Sequence, residues 1–157
     1  MARTLTVGPL LSIVDGFLDA KGWPHERLAG RDVITFAFQG DDERWSCYAE
    51  AREDQERVVF YSVCPYNVPE EGRPAAMEFV TRVNYGLLVG NFELDLADGE
   101  VRFKTSLDVR GAELTPILVA RAIMPNLLGM NTYLPGIAAI VGGDRSSPAE
   151  LVAAIEA

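Results

Sequence analysis

Between Pro74 and Val109 the spacing of apolar residues changes, and the change marks out structural elements. From Pro74 to Leu88 they recur at about 100° per residue. Ala76, Phe79, Val80, Val83 and Leu87 fall on one stripe, with Glu78, Arg82 and Tyr85 opposite. This predicts an amphipathic helix. Pro74 suits its first position, where the missing N–H would be unpaired anyway. Gly90 suits its end, because glycine takes the left-handed conformation without a Cβ penalty. Met77, Asn84 and Leu88 flank the stripe, so the apolar arc is wider than one core contact needs. Beyond Asn91 the period becomes two. Phe92, Leu94 and Leu96 alternate with Glu93, Asp95 and Ala97. Val101, Phe103, Thr105, Leu107 and Val109 alternate with Arg102, Lys104, Ser106 and Asp108. Asp98-Gly99 lies between the two arms and is a strong hairpin signal. A tight two-stranded hairpin is expected, with one apolar and one charged face.

Upstream, residues 1–8 read as a loose lead-in. Leu10, Leu11, Ile13, Val14, Phe17 and Leu18 then recur at helical spacing against Ser12, Asp15 and Asp19, and Gly22 ends that helix. Trp23-Pro24 opens a connector. Three strands follow, at Val33 to Phe38, Arg44 to Arg52 and Arg57 to Cys64. Acidic turn residues separate them. The third strand is nearly all apolar, which predicts burial on both faces.

Downstream, Gly111 breaks the hairpin strand, and Pro116 to Val141 is almost wholly apolar. Its length suits a membrane span. However, Pro125, Pro135, Gly129, Gly136, Asn126 and Asn131 interrupt it, and Arg121 would sit inside the bilayer with no flanking charge pattern. Two kinked helices, buried against the sheet or in a subunit interface, are expected instead of membrane insertion. Gly142-Gly143 ends them. Ser147-Pro148-Ala149-Glu150 is a capping box opening a short helix over 147–156. No repeat or long linker divides the chain, so 1–157 reads as one domain.

Charge narrows the possible partners. The formal net charge is -9 over 157 residues, and no Lys/Arg cluster is visible. Nucleic acid is a poor partner for such a chain, because cations supply most of the affinity for phosphate backbones. Cys47 and Cys64 lie in strand-like runs without metal or disulfide spacing, so both read as buried thiols in a reducing compartment. The N-terminus lacks signal-peptide character, and a cytoplasmic location is expected. His25 is the only histidine, and any serine or cysteine triad would have to use it. It sits in a Gly/Trp/Pro connector and reads as a surface residue. Asp41-Asp42-Glu43 and Glu53, Asp54 and Glu56 read as solvated turns rather than cation sites. No phosphate-cradling glycine motif is present. The chain is therefore expected to have no catalytic residues, no metal and no cofactor, and not to be an enzyme.

Thr81-Arg82-Val83-Asn84-Tyr85-Gly86-Leu87-Leu88 leads into Gly90-Asn91-Phe92-Glu93-Leu94-Asp95, and Asp98-Gly99-Glu100-Val101-Arg102-Phe103 follows. This stretch resembles the YbjN domain family of bacterial proteins, whose members are often labelled sensory transduction regulators. The resemblance implies an α+β fold like that of type III secretion chaperones. The implied order is α-β-β-β-α-β-β-α(-α), with an antiparallel sheet packed against helices, and residues of about 8 to 142 fit that layout as the domain core. It also implies a non-enzymatic binding module, chaperone-like or regulatory, that forms a homodimer and takes a client or regulatory protein. Secretion chaperones present apolar surface and sheet edges to extended client segments. On this basis the dimer or partner interface is expected at Met77, Tyr85 and Leu88 and at Asn91, Phe92 and Leu94. Arg82 and Asn84 have a plainer alternative role, pairing with the chain ends around the helix. The alternative is an enzyme or small-molecule binder with a pocket between the sheet and the C-terminal helices. Arg121, Asn126, Asn131 or Tyr133 would line it, because polar groups in an apolar run need partners when buried.

Overall fold

Residues 8–157 are described by the structure, a computed structural model. The expected lead-in lies, apart from Gly8, outside the described residues. The chain runs α1 (Pro9–Lys21), β1 (Glu26–Arg27), β2 (Val33–Gln39), β3 (Arg44–Arg52), β4 (Arg57–Val63), α2 (Arg73–Gly86), β5 (Asn91–Leu94), β6 (Val101–Asp108), α3 (Pro116–Val141) and α4 (Pro148–Glu156). The strands form one sheet in the order β1-β2-β3-β4-β6-β5, and every neighbouring pair is antiparallel. The fold is thus α+β, an antiparallel sheet packed against helices, as expected. β1 is an addition. Its two charged residues carry no periodicity, and only pairing with Thr35 and Ile34 makes them a strand.

Alternation sorts the sheet into two faces. Ile34, Phe36, Trp45, Cys47, Ala49, Phe60, Phe92 and Phe103 point into the core beneath the helices. α1 lies over β2, β3 and β4, α3 over β4 and β6, and α2 beside β5. α4 packs on α2 and α3. The other sheet face is open, so the expected double-sided burial of β4 is corrected. Val58, Phe60 and Ser62 are buried, while Val59, Tyr61 and Val63 are only half-buried. On the open face Tyr61 pairs with Tyr48 across one strand, and Arg102 lies 4.3 Å over its ring. An antiparallel sheet tolerates such a one-sided arrangement.

The apolar run Pro116–Val141 is one helix, not two. Pro135 is exposed, so the carbonyl four residues before it, which lacks a proline N–H partner, lies on the solvent side. Thr115 caps the N-terminus through its hydroxyl, which accepts from Leu118 N. The hairpin also differs from expectation. Asp95–Glu100 is a six-residue connection, not a two-residue turn. Gly99 adopts φ 82°, and its carbonyl accepts from Val68 N at 2.8 Å. A Cβ on Gly99 would collide with the Val68 backbone. The Asp-Gly pair thus serves the packed 64–69 loop rather than a minimal hairpin.

One acidic turn does more than meet solvent. Gly8 offers no side chain to cap α1. Glu53, from the β3–β4 turn, accepts from Leu10 N at 3.2 Å and Leu11 N at 3.0 Å. A carboxylate there satisfies orphan donors and complements the helix dipole.

Candidate binding surface at the end of α2

Ala76, Phe79, Val80 and Val83 bury the inner stripe of α2 as the pattern requires. The helix stops at Gly86, however, and not at Gly90. Leu87 still packs against the core, in phase with the stripe, but from there the chain bends away. Gly90 adopts φ 77° for a different reason: the Phe103 ring and Thr105 occupy the place of a Cβ. Leu88 therefore lies in a connector, not on the helix flank, and is 100% exposed. Tyr85 is 96% exposed, with Met77 and Val89 about half exposed. Val89 was not among the expected residues; its position outside the helix is what uncovers it.

The strand half of the expected interface is corrected in one residue. Phe92 is buried in the core, edge-to-face with Phe103 at 4.8 Å and with Tyr133 at 6.0 Å. No partner can reach its side chain. Asn91 and Leu94 are half-buried at the sheet edge, and Leu94 packs against the core. Asn84 bridges α2 to this strand through both the N–H and the carbonyl of Phe92. Arg82 instead pairs with Glu78 on its own helix, 2.8 Å away. A cleft of about 540 Å³ runs between α2 and α4, walled by Thr81, Arg82 and Tyr85 on one side and Ala149, Val152 and Glu156 on the other.

The four residues expected to line an internal pocket do not share one. Arg121 is exposed. Asn126 is fully buried and donates to the carbonyls of Phe60 and Phe103, each at 3.0 Å. Asn131 receives Asp41 N at 2.8 Å and donates to the Asp41 carboxylate at 2.9 Å. Tyr133 donates to Glu156 at 2.8 Å. The void between α1, β4 and α3, near Val14, Phe60 and Ile123, measures about 10 Å³. That is hardly room for one water.

His25 is not a free surface residue. Its side chain is 10% exposed, with Nδ1 2.7 Å from the Trp23 carbonyl and Nε2 2.7 Å from Asp15 Oδ1. Asp19 Oδ1 lies 3.6 Å from Nε2. Both nitrogens face acceptors, so the doubly protonated ring satisfies the site best. Burial pulls the ring pKa down, but the Trp23 carbonyl and the Asp15 and Asp19 carboxylates outweigh it and hold it above 6.5. Asp15, Asp19 and His25 are the described residues whose ligand atoms could gather on a metal ion. In the imidazolium form, however, His25 offers no lone pair. Cys47 and Cys64 are free and buried, and burial pushes both thiols up to about 12.

No curated protein matches this chain. Among solved structures, YbjN from E. coli, described as "a putative transcription regulator", is similar with a TM-score of 0.57 and 15% identity. The match covers 82% of this chain and 92% of that one. The HopA1–SchA chaperone–effector complex gives a TM-score of 0.45 and 16% identity, covering 80% and 89%. At such identities the likeness is one of fold. The family model described as "YbjN: Putative bacterial sensory transduction regulator" matches residues 11–137, which is most of the chain. By that match the chain belongs to the YbjN family.

Proposed function

We propose that this domain is a non-enzymatic protein-binding module, chaperone-like or regulatory, which acts as a homodimer in the cytoplasm. The observation that carries the reading is the exposed apolar group at the end of α2: Tyr85, Leu88 and Val89, with Met77 on the helix above. Burying a leucine or valine side chain stabilises an association by about 1.5–3 kcal/mol. A helix end that leaves several such side chains in water offers a natural contact. The family's description as a regulator supports a signalling role. The net charge of -9 argues that such regulation passes through protein contacts rather than a phosphate backbone.

The non-enzymatic reading rests on the reactive groups themselves. His25 is tied up by two acceptors, and both thiols are buried and held far from ionisation. None is an activated nucleophile or a free base. The mode of contact also narrows. Strand addition at Phe92 is blocked because Asn84 already holds that residue's outward N–H and carbonyl. The partner surface is therefore built from the side chains of Met77, Tyr85, Leu88 and Val89, with Asn91 and Leu94 at its margin. Solution mass of the wild type against Leu88→Glu tests the reading: a wild-type dimer that the substitution dissociates supports it.

A further inference from the structure

α4 sits on the core but is weakly held there. None of its residues is buried. Leu151, Val152 and Ile155 pack against the core and stay half-buried. Ile155 seats over Gly136 of α3: its Cδ1 lies 3.0 Å from the place of a Cβ on that glycine, next to the Phe79 ring. On the α2 side the two helices do not close, and the cleft of about 540 Å³ stays between them. Among the described residues, the one side-chain hydrogen bond that joins α4 to another element runs from the Tyr133 hydroxyl to Glu156 Oε1 at 2.8 Å.

The connection leaves α4 free to move as a unit. Gly142 to Ser147 are all exposed, and Gly143 adopts φ 79°. The N-terminus of α4 is satisfied by its own capping box of Ser147 and Glu150. α4 also lies beyond the residues 11–137 that the family model matches. Elements with few buried contacts open locally at less than the free energy of global unfolding.

α4 itself shows what fits the groove it covers on α2 and α3. Leu151, Val152, Ile155 and Glu156 place apolar residues at i, i+1 and i+4 and a carboxylate at i+5. A second copy's α4 carries the same pattern but no stronger hold, and the chain's own α4 is tethered at an effective concentration on the order of millimolar. A helix of nine residues is marginal on its own. A longer helix that is already folded loses less entropy on docking. We propose that α4 is a displaceable occupant of its own groove, and that a partner protein's longer helix with the same pattern takes its place, its carboxylate accepting from Tyr133. This surface is additional to the contact assigned to the end of α2.

Hydrogen exchange of the full chain tests the release. The α4 amides should exchange about tenfold or more faster than those of α3 and β4. Tyr133→Phe should speed α4 by about fivefold more and leave β4 unchanged. Exchange of α4 only together with β4, or an α4 rate untouched by Tyr133→Phe, would overturn the proposal. Docking is tested with a labelled synthetic helix of about 18 residues, carrying the 148–156 sequence at its centre, against a scrambled control. Anisotropy titration should give saturable binding to the full chain, and about tenfold tighter binding to Ile155→Glu, whose own α4 is dislodged. Leu88→Glu should bind the peptide as the wild type does, which separates this groove from the proposed dimer contact. No saturation up to about 1 mM, equal binding of the control, or no gain in Ile155→Glu would overturn the proposal. So would loss of the native circular dichroism in Ile155→Glu, which would make α4 part of the core. A wild-type dimer that Ile155→Glu dissociates would give the groove to a second copy and overturn it as well.

Discussion

Asn84 on α2 and Phe92 on β5 exchange two hydrogen bonds: Phe92 N donates to Asn84 Oδ1 at 2.7 Å, and Asn84 Nδ2 donates to the Phe92 carbonyl at 3.0 Å. A side-chain amide here does what the next strand of a sheet would do. β5 is an edge strand, and unpaired edge groups invite association with other chains. The same two bonds pin the end of α2 to the sheet and so set the course of the 87–90 connector that exposes Leu88. Asn84→Ala leaves the Phe92 N–H without a partner, while the Phe92 carbonyl keeps Asn91 Nδ2 as a donor at 3.2 Å. Stability should fall by about 1–3 kcal/mol in urea titration. The Phe92 amide should lose its protection in hydrogen exchange. Unchanged protection at Phe92 would mean that something else covers the edge.

Asn126 makes a comparable tie inside the core. Its Nδ2 donates to the carbonyls of Phe60 on β4 and Phe103 on β6, and lies 3.2 Å from Thr105 Oγ1. Its Oδ1 has no partner among the described residues. Asn126→Ala removes the bonds and leaves a cavity, so a loss of about 2–4 kcal/mol is expected in denaturant titration. Asn126→Asp should be worse, because an ionised carboxylate cannot donate to either carbonyl and would be buried unpaired. A variant as stable as wild type would show that the two strands do not depend on this tie.

His25 should make stability depend on pH in a defined direction. Its folded pKa lies above the 6.5 of the free side chain. Its contribution is therefore complete below about 6.5 and is lost as pH rises through the folded value. His25→Gln should flatten that part of the stability curve. Because it is the only histidine, its ring protons give an uncrowded NMR titration. The midpoint should lie above 6.5 in the wild type and fall in Asp15→Asn. A midpoint at or below 6.5 would contradict the two-acceptor geometry.

Cys47 and Cys64 should be inert in the native chain. Burial is the main cause of the high pKa at both. Only the thiolate reacts quickly, and at neutral pH almost none is present. A thiol reagent should label neither residue until denaturant is added. Fast labelling of the native protein would show that the sheet opens near β3 or the end of β4.

Wherever one period ran undisturbed, the elements were legible from the residues alone. α1, the strands β2 to β4, the long arm β6 and the capped α4 all came from alternation, helical spacing or a capping box. What was not legible depended on contacts between distant segments. Glu53 caps a helix more than forty residues upstream, and its own neighbourhood reads only as a turn. β1 has no pattern of its own. The in-phase Leu87 made α2 look longer than it is, although its backbone leaves the helix after Gly86. Phe92 fits an interface as well as a core in sequence, because both draw on the same residue types. Only its place between Phe103 and Tyr133 decides the matter. Asn84, by contrast, takes the plainer of its two readings, since its bonds go to the Phe92 backbone just past the helix end.

The most direct test of the proposed function is the solution mass by light scattering, on the wild type and on Leu88→Glu, with circular dichroism as a folding control. Leu88 is fully exposed, so the substitution should leave the fold intact. The wild type should weigh twice the 17.2 kDa of one chain, and the folded variant should weigh 17.2 kDa. A wild type that remains at 17.2 kDa at micromolar concentration, or a dimer untouched by Leu88→Glu, would contradict the assignment of the α2 end as the contact surface.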